Sequence, residues 1–197
     1  MDQPAAPSRG DVTRERLVDV ASTLFGERGY EGTSIEAVLQ AGGVSRGSLY
    51  HHFPSKRVLF EAVVEAMEGR VGEHVAAAVA DAQGAVALLK AGAREWITLA
   101  GDPQVNRVLL IDAPSVLGWE DWRALEERHA LGLVKATLEA ASQERLIRRE
   151  MVDVMAHVLL AALNEVALFV ARARDQKAAM RQGFDAVDDL LGGLFGS

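Results

Sequence analysis

The stretch from Thr33 to Lys56, TSIEAVLQAGGVSRGSLYHHFPSK, sets two short helical patterns either side of a glycine pair, and that punctuation leaves few folds open. Thr33 and Glu36 form a Thr-x-x-Glu capping box, after which Ile35, Val38 and Leu39 recur on one helical face. Gly42 and Gly43 supply a left-handed stop, Val44 an apolar plug beneath the turn, and Ser45 a cap for the next helix. In that helix Leu49 and Phe53 face inward, which leaves Arg46, Gly47, Ser48, Tyr50, His51 and His52 on outer faces. The pattern predicts a helix-turn-helix whose second helix presents cationic and hydroxyl groups.

Charge is distributed to match. Asp and Glu outnumber Lys and Arg by 28 to 21, for a net charge of −7. Residues 1 to 60 hold seven of each, so the rest of the chain carries the whole excess, and no acidic residue lies between Glu36 and Glu61. This excludes a polyanion binder coated in lysine, but not a small basic reading head on an acidic body.

With 197 residues, 49% of them hydrophobic, the chain can bury one sizeable core and a smaller satellite. The lack of cysteine excludes disulfides and thiolate metal sites and fits a reducing cytoplasm, where the protein is expected to act. The start, MDQPAAPSRGD, has no apolar segment of the signal-peptide kind, and residues 1–12 are expected to form a disordered tail. Val152 to Ala171 is interrupted by Asp153, His157, Asn164 and Glu165, too many polar groups for a bilayer span of about 20 residues, so no membrane partner is expected. No His-Glu-x-x-His, Gly-x-Ser-x-Gly or phosphate-loop spacing is present, so no catalytic residue, metal site or cofactor is expected and the chain reads as a non-enzyme.

Helical periodicity runs throughout, predicting an all-α fold of about nine helices. Leu17, Val18, Ala21, Leu24 and Phe25 mark a first helix over 13–28, stopped by Gly29. After the helix-turn-helix pair, Ser55 caps a long fourth helix with Val58, Leu59, Ala62, Val63 and Ala66 inward. Further helices are expected over 85–100 and over 105–111, the latter ended by Ala113-Pro114-Ser115. A single helix is expected over 119–142, with Trp122, Leu125, His129, Leu133 and Ala136 on one stripe. The last two run over 151–173, apolar nearly all round and so buried, and over 176–194. These two need more cover than a chain of this size supplies, and Ala161, Ala162 and Ala167 permit close approach. A two-fold four-helix interface between two copies is expected, against the alternative of one intramolecular bundle.

Phe25, Arg28-Gly29-Tyr30, Gly32-Thr33, Ala41, Gly43-Val44-Ser45, Gly47-Ser48-Leu49-Tyr50-His51-His52-Phe53, Ser55-Lys56 and Leu59 together resemble the TetR/AcrR family of bacterial transcriptional regulators. Leu39 departs from the small alanine usual there. The resemblance implies a homodimer, with an N-terminal three-helix DNA-binding domain (13–57) and a C-terminal helical domain (58–197) that binds a small-molecule effector and dimerises. It implies a ligand-responsive regulator, most often a repressor, on a palindromic double-stranded operator. Leu110 to Pro114 and Val116 to Glu120 also resemble the middle of one subgroup of such C-terminal domains.

Arg46, in the first turn of the second helix, is the base-reading candidate, since a guanidinium meets guanine O6 and N7 in bidentate fashion; a solvated surface arginine is the competing reading. Gly47 permits close approach to the groove. The resemblance places Ser48, Tyr50, His51 and Lys56 at positions that touch phosphate or groove edges, with Thr33 and Ser45 at the two helix starts beside them. Trp96, Trp119, Trp122, His129, His157 and Asn164 put polar tips into apolar helices and are the effector-contact candidates, with core packing as the competing reading. The alternative function is a helical small-molecule-binding or scaffold protein without specific DNA recognition.

Overall fold

The computed structural model describes residues 9–196, and all regular structure among them is helical. Of the expected tail, residues 1–8 lie outside the described residues, whereas 9–12 are already helical and open α1 (Arg9–Gly32). Gly29 breaks that helix as expected, at φ 75° and ψ 171°. Leu17, Val18, Ala21, Leu24 and Phe25 are all buried. α2 (Ile35–Gly42) and α3 (Arg46–His52) follow, joined through Gly43 in the left-handed conformation, with Leu49 and Phe53 buried beneath α3.

α4 (Lys56–Ala78) starts at the Ser55 cap and packs against both α1 and α5 (Ala85–Ala100). Because it is covered from two sides, its buried face is rotated from the expected one. Leu59 and Val63 are buried with Phe60, Val64, Met67, Glu68 and Val71, while Val58 is exposed.

Between residues 103 and 117 the chain stays helical where a break was expected. α6 (Pro103–Val105) leads into a π-helical stretch, Asn106–Asp112, and then into α7 (Ala113–Leu117). Pro114 sits in the first turn of α7, where the ladder changes register and its missing N–H is tolerated. The helix expected over 119–142 is also two, α8 (Trp119–Arg128) and α9 (Ala130–Gln143), broken at His129 with φ −114° and ψ −97°. The break lets α8 pack toward α7 and α9 toward α10, and it leaves Leu133, expected inward, exposed. A Cβ on Gly132 would lie 2.9 Å from the Glu127 carbonyl, so the crossing needs glycine there.

A short 3₁₀ turn, Arg149–Met151, precedes α10 (Val152–Arg172), and α11 (Gln176–Phe195) ends the described chain. α10 alone among the described residues has the length and composition of a bilayer span. Its Val152, Ala156, Leu159, Leu160, Leu163, Ala167 and Val170 nonetheless face a protein core. That core is built by α5, α9, α10 and α11, and the other by α1 to α4 together with Val108, Leu109, Ala113, Leu117 and Leu125. The first core therefore runs well past residue 57. Burial of α10 is one-sided, since Val154, Val158 and Phe169 are each about half exposed.

Candidate nucleic-acid interface

Ser34, not Thr33, caps α2, its Oγ accepting from the Ala37 amide at 3.1 Å. Thr33 is buried, and its hydroxyl is held between Leu24 O (3.0 Å) and Gly29 O (2.9 Å), carbonyls released where α1 breaks. The hydroxyl is thus occupied inside the head. Ser45 caps α3 by accepting from the Ser48 amide at 3.2 Å, and Ser55 caps α4 by accepting from the Val58 amide at 3.2 Å.

The remaining candidates of α3 share one surface. Arg46, Gly47, Tyr50 and His51 are exposed, Ser48 is half-buried, and a Cβ at Gly47 would meet nothing within 4 Å. His52 is turned aside and lines a cavity of about 690 Å³ between α1 and α4, next to Phe53. Lys56, the first residue of α4, lies 4.1 Å above the Tyr30 ring, which steadies its stem beside a helix N-terminus. Arg46 is not free: its Nη2 donates to Glu36 Oε1 at 2.5 Å, and the Tyr50 phenol is a further hydrogen-bonding neighbour. Glu36 had no role in the sequence reading beyond the capping box, which Ser34 has taken over.

Two latches join this head to the body. The Tyr30 amide donates to Asp112 Oδ2 at 2.7 Å, and the Arg107 guanidinium lies so close to Gly29 that a Cβ there would come within 2.5 Å of it. Arg57, in the first turn of α4, donates to Leu117 O at 2.9 Å and pairs with Asp121.

Inside the body the effector candidates divide. Asn164 donates to Glu126 Oε1 at 3.2 Å, and Glu126 also accepts from Arg123 at 2.8 Å. Glu68 of α4 faces this group; burial, then the Glu126 and Glu65 charges, push its carboxyl up to about 7. Burial likewise raises Glu126, against the opposing pull of Arg123 and of the Asn164 hydrogen bond. His129 belongs to the rim of the cluster, with Nε2 3.3 Å from Glu65 Oε1, which Arg128 also holds at 2.9 Å through Oε2. Burial resists ionisation of Glu65, but these two partners outweigh it and lower its pKa. Trp96 lies between the two cores, its Nε1 buried without a partner, as is Nδ2 of Asn106. Trp122 is half-buried, whereas Trp119 is on the surface, 64% exposed under the Arg123 guanidinium, and cannot line an internal pocket. His157 is half-buried and makes no hydrogen bond or ion pair. Glu68 was legible as a charge in step with Phe60, Val64 and Val71, had the inner face of α4 been placed correctly.

Residues 17–63 match the model for bacterial regulatory proteins of the tetR family, and residues 86–194 match the tetracyclin repressor-like C-terminal domain. An uncharacterized HTH-type transcriptional regulator of Mycobacterium tuberculosis (strain ATCC 25618 / H37Rv) is 49% identical over 80 residues, 40% of this chain and 39% of that protein. The chain thus spans about two-fifths of the length of the first curated relatives it matches. A TetR-family transcriptional regulator from Pectobacterium atrosepticum superposes with a TM-score of 0.78 at 28% identity, covering 97% of this chain and 99% of that one. AibR, solved with isovaleryl coenzyme A and operator DNA, superposes with a TM-score of 0.65 at 25% identity, covering 93% and 98%. The family models together span both head and body, and the chain belongs to the tetR family of bacterial regulatory proteins.

Proposed function

We propose that this chain is a ligand-responsive transcriptional repressor that binds a palindromic operator as a homodimer in the cytoplasm and releases it when a small-molecule effector occupies the body. The observation that carries the reading is the exposed face of α3, with Arg46, Gly47, Tyr50 and His51 clear of the core and Lys56 at the adjoining helix start. Such a face fits a major groove, with Arg46 toward a base edge and Ser48, Tyr50, His51 and Lys56 toward phosphates.

The outer face of α10, where Val154, Val158 and Phe169 are exposed with Ala161 and Glu165 between them, supports pairing of two copies through α10 and α11. The body offers buried polar groups without partners, Trp96 Nε1 and Asn106 Nδ2, and a largely buried Asn164–Glu126–Glu68 cluster, as expected of a site completed by a ligand. AibR, with its acyl-coenzyme A and its operator, supports a bound small molecule as the signal. The effector acts by binding one arrangement of the heads better than the other, and the Asp112–Tyr30 and Arg57–Asp121 latches carry the difference; a coupling of about 1–3 kcal/mol suffices.

The test is selection of binding sites from a random duplex library, followed by gel shifts over a salt series. An enriched inverted repeat bound by two copies supports the repressor reading. No enrichment, with no binding at low salt, favours a helical ligand-binding protein that has lost DNA recognition.

A further inference from the structure

Glu36 is out of place on a surface that meets phosphate. It is the last acidic residue before a run of basic and neutral ones that ends at Glu61, and it projects from the first turn of α2 toward the reading helix. Ser34 relieves it of capping, and its side chain is 64% exposed. An ion pair this exposed adds little to stability, while a carboxylate beside the groove repels the phosphates of every sequence. The carboxylate also stays ionised, since its own backbone amide and then Arg46 hold its pKa below the ordinary value. What the pairing does supply is geometry. Nη2 of Arg46 carries two hydrogens, of which Glu36 takes one at 2.5 Å; the second Nη2 hydrogen and Nη1, beside the Tyr50 phenol, are the donors a fork would use.

We propose that Glu36 is a specificity-determining residue of the DNA-reading surface, which holds the Arg46 guanidinium in the orientation that meets a guanine edge and whose charge weakens binding to every duplex, leaving the fork to compensate where guanine is present. The inference rests on the regulator reading above. The fork is set before contact, so less side-chain freedom is lost on reaching the base. A duplex lacking guanine at that position gains no fork and still meets the repulsion. Discrimination at that base pair thus comes from the positioned attraction, while the repulsion, common to every sequence, lowers the level of non-specific binding.

The experiment starts from the operator selected by the wild-type protein. Glu36→Ala removes both charge and acceptor, whereas Glu36→Gln removes the charge and keeps an acceptor. Binding is measured by fluorescence anisotropy on the operator, on operators with each G·C pair replaced, and on random duplex, in the wild-type and Arg46→Ala backgrounds, with thermal melts as the folding control. Both substitutions are expected to tighten binding to random duplex by about threefold or more. Glu36→Ala is expected to lose roughly five- to tenfold of the discrimination at the base pair that Arg46→Ala also relaxes, Glu36→Gln less, and neither to change it further once Arg46 is alanine. Discrimination kept at that base pair by Glu36→Ala, or lost equally with and without Arg46, overturns the proposal. If Arg46→Ala relaxes no base pair, Glu36 has nothing to position and the proposal fails while the regulator reading stands. If the wild-type protein selects no operator, it is the regulator reading that fails.

Discussion

The Tyr30 amide donates to the Asp112 carboxylate at 2.7 Å, joining two residues 82 positions apart and fastening the turn below the reading head to the π-helical end of the body. Asp112→Ala leaves that half-buried amide without its acceptor. The expected cost is about 1–2 kcal/mol of stability, with faster hydrogen exchange over residues 29–33 and little change over α10. Unchanged exchange at Tyr30 in the variant would show that the latch carries no strain between head and body.

Arg46 and Lys56 should separate in their DNA phenotypes. Arg46→Ala is expected to relax one operator base pair and to weaken specific binding by roughly 1–3 kcal/mol. Lys56→Ala should weaken all duplexes about equally and lower the salt slope by about one. Gel shifts on operator and random DNA at several salt concentrations distinguish the two patterns.

Glu68 predicts an unusual pH profile. Its carboxyl is pushed to about 7 in the folded chain from an ordinary 4.5, so between these values the folded state holds a proton that the unfolded state has lost. Stability therefore falls as pH rises from about 4.5 to about 7 and levels off above. Glu68→Gln should flatten that descent and stabilise the protein at pH 8 by on the order of 3 kcal/mol, read from denaturant midpoints at pH 5 and pH 8. A descent that persists unchanged in the variant would assign the titration to Glu126 instead.

The outer stripe of α10 should govern assembly. Val158→Asp and Phe169→Glu place charges where a partner helix is expected, and both positions are exposed in the single chain, so folding is retained. Sedimentation velocity is expected to show a dimer for the wild type and a monomer for either variant, and operator affinity should drop with dimer loss. A wild-type monomer at micromolar concentration would refute the stripe as an interface.

Local spacing made the reading head legible: Leu49 and Phe53 are buried and Arg46, Tyr50 and His51 exposed because helical periodicity alone decides it. Which of two adjacent hydroxyls caps α2 was not decidable locally, because Thr33 is drawn inward by the Leu24 and Gly29 carbonyls freed at a kink. The Arg46–Glu36 pair escaped because its members lie ten positions apart on different helices. Pro114 misled through a rule that holds for regular α-helix, whereas a π-helical turn ahead of it shifts the ladder. Gly132 was an available signal for the crossing at His129, and a continuous apolar stripe obscured it. The buried acids required knowledge of which face of α4 is covered, and that depends on α5 and α7 as well as α1.

Val108, Leu109, Ala113 and Leu117 complete the same core as Phe25 and Phe60, although they follow them by some fifty positions or more. The head is thus no cassette. A fragment cut after Ala78 would take Val108, Leu109, Ala113 and Leu117 out of the core that holds Phe25, Phe60 and Val64, and a chimera that exchanges heads between relatives at residue 57 would set the Phe25 of one parent against the Phe60 of the other. Functional grafts must carry the segment from Pro103 to Leu117 along with the first four helices, as two separate stretches of sequence that behave as one inheritable part.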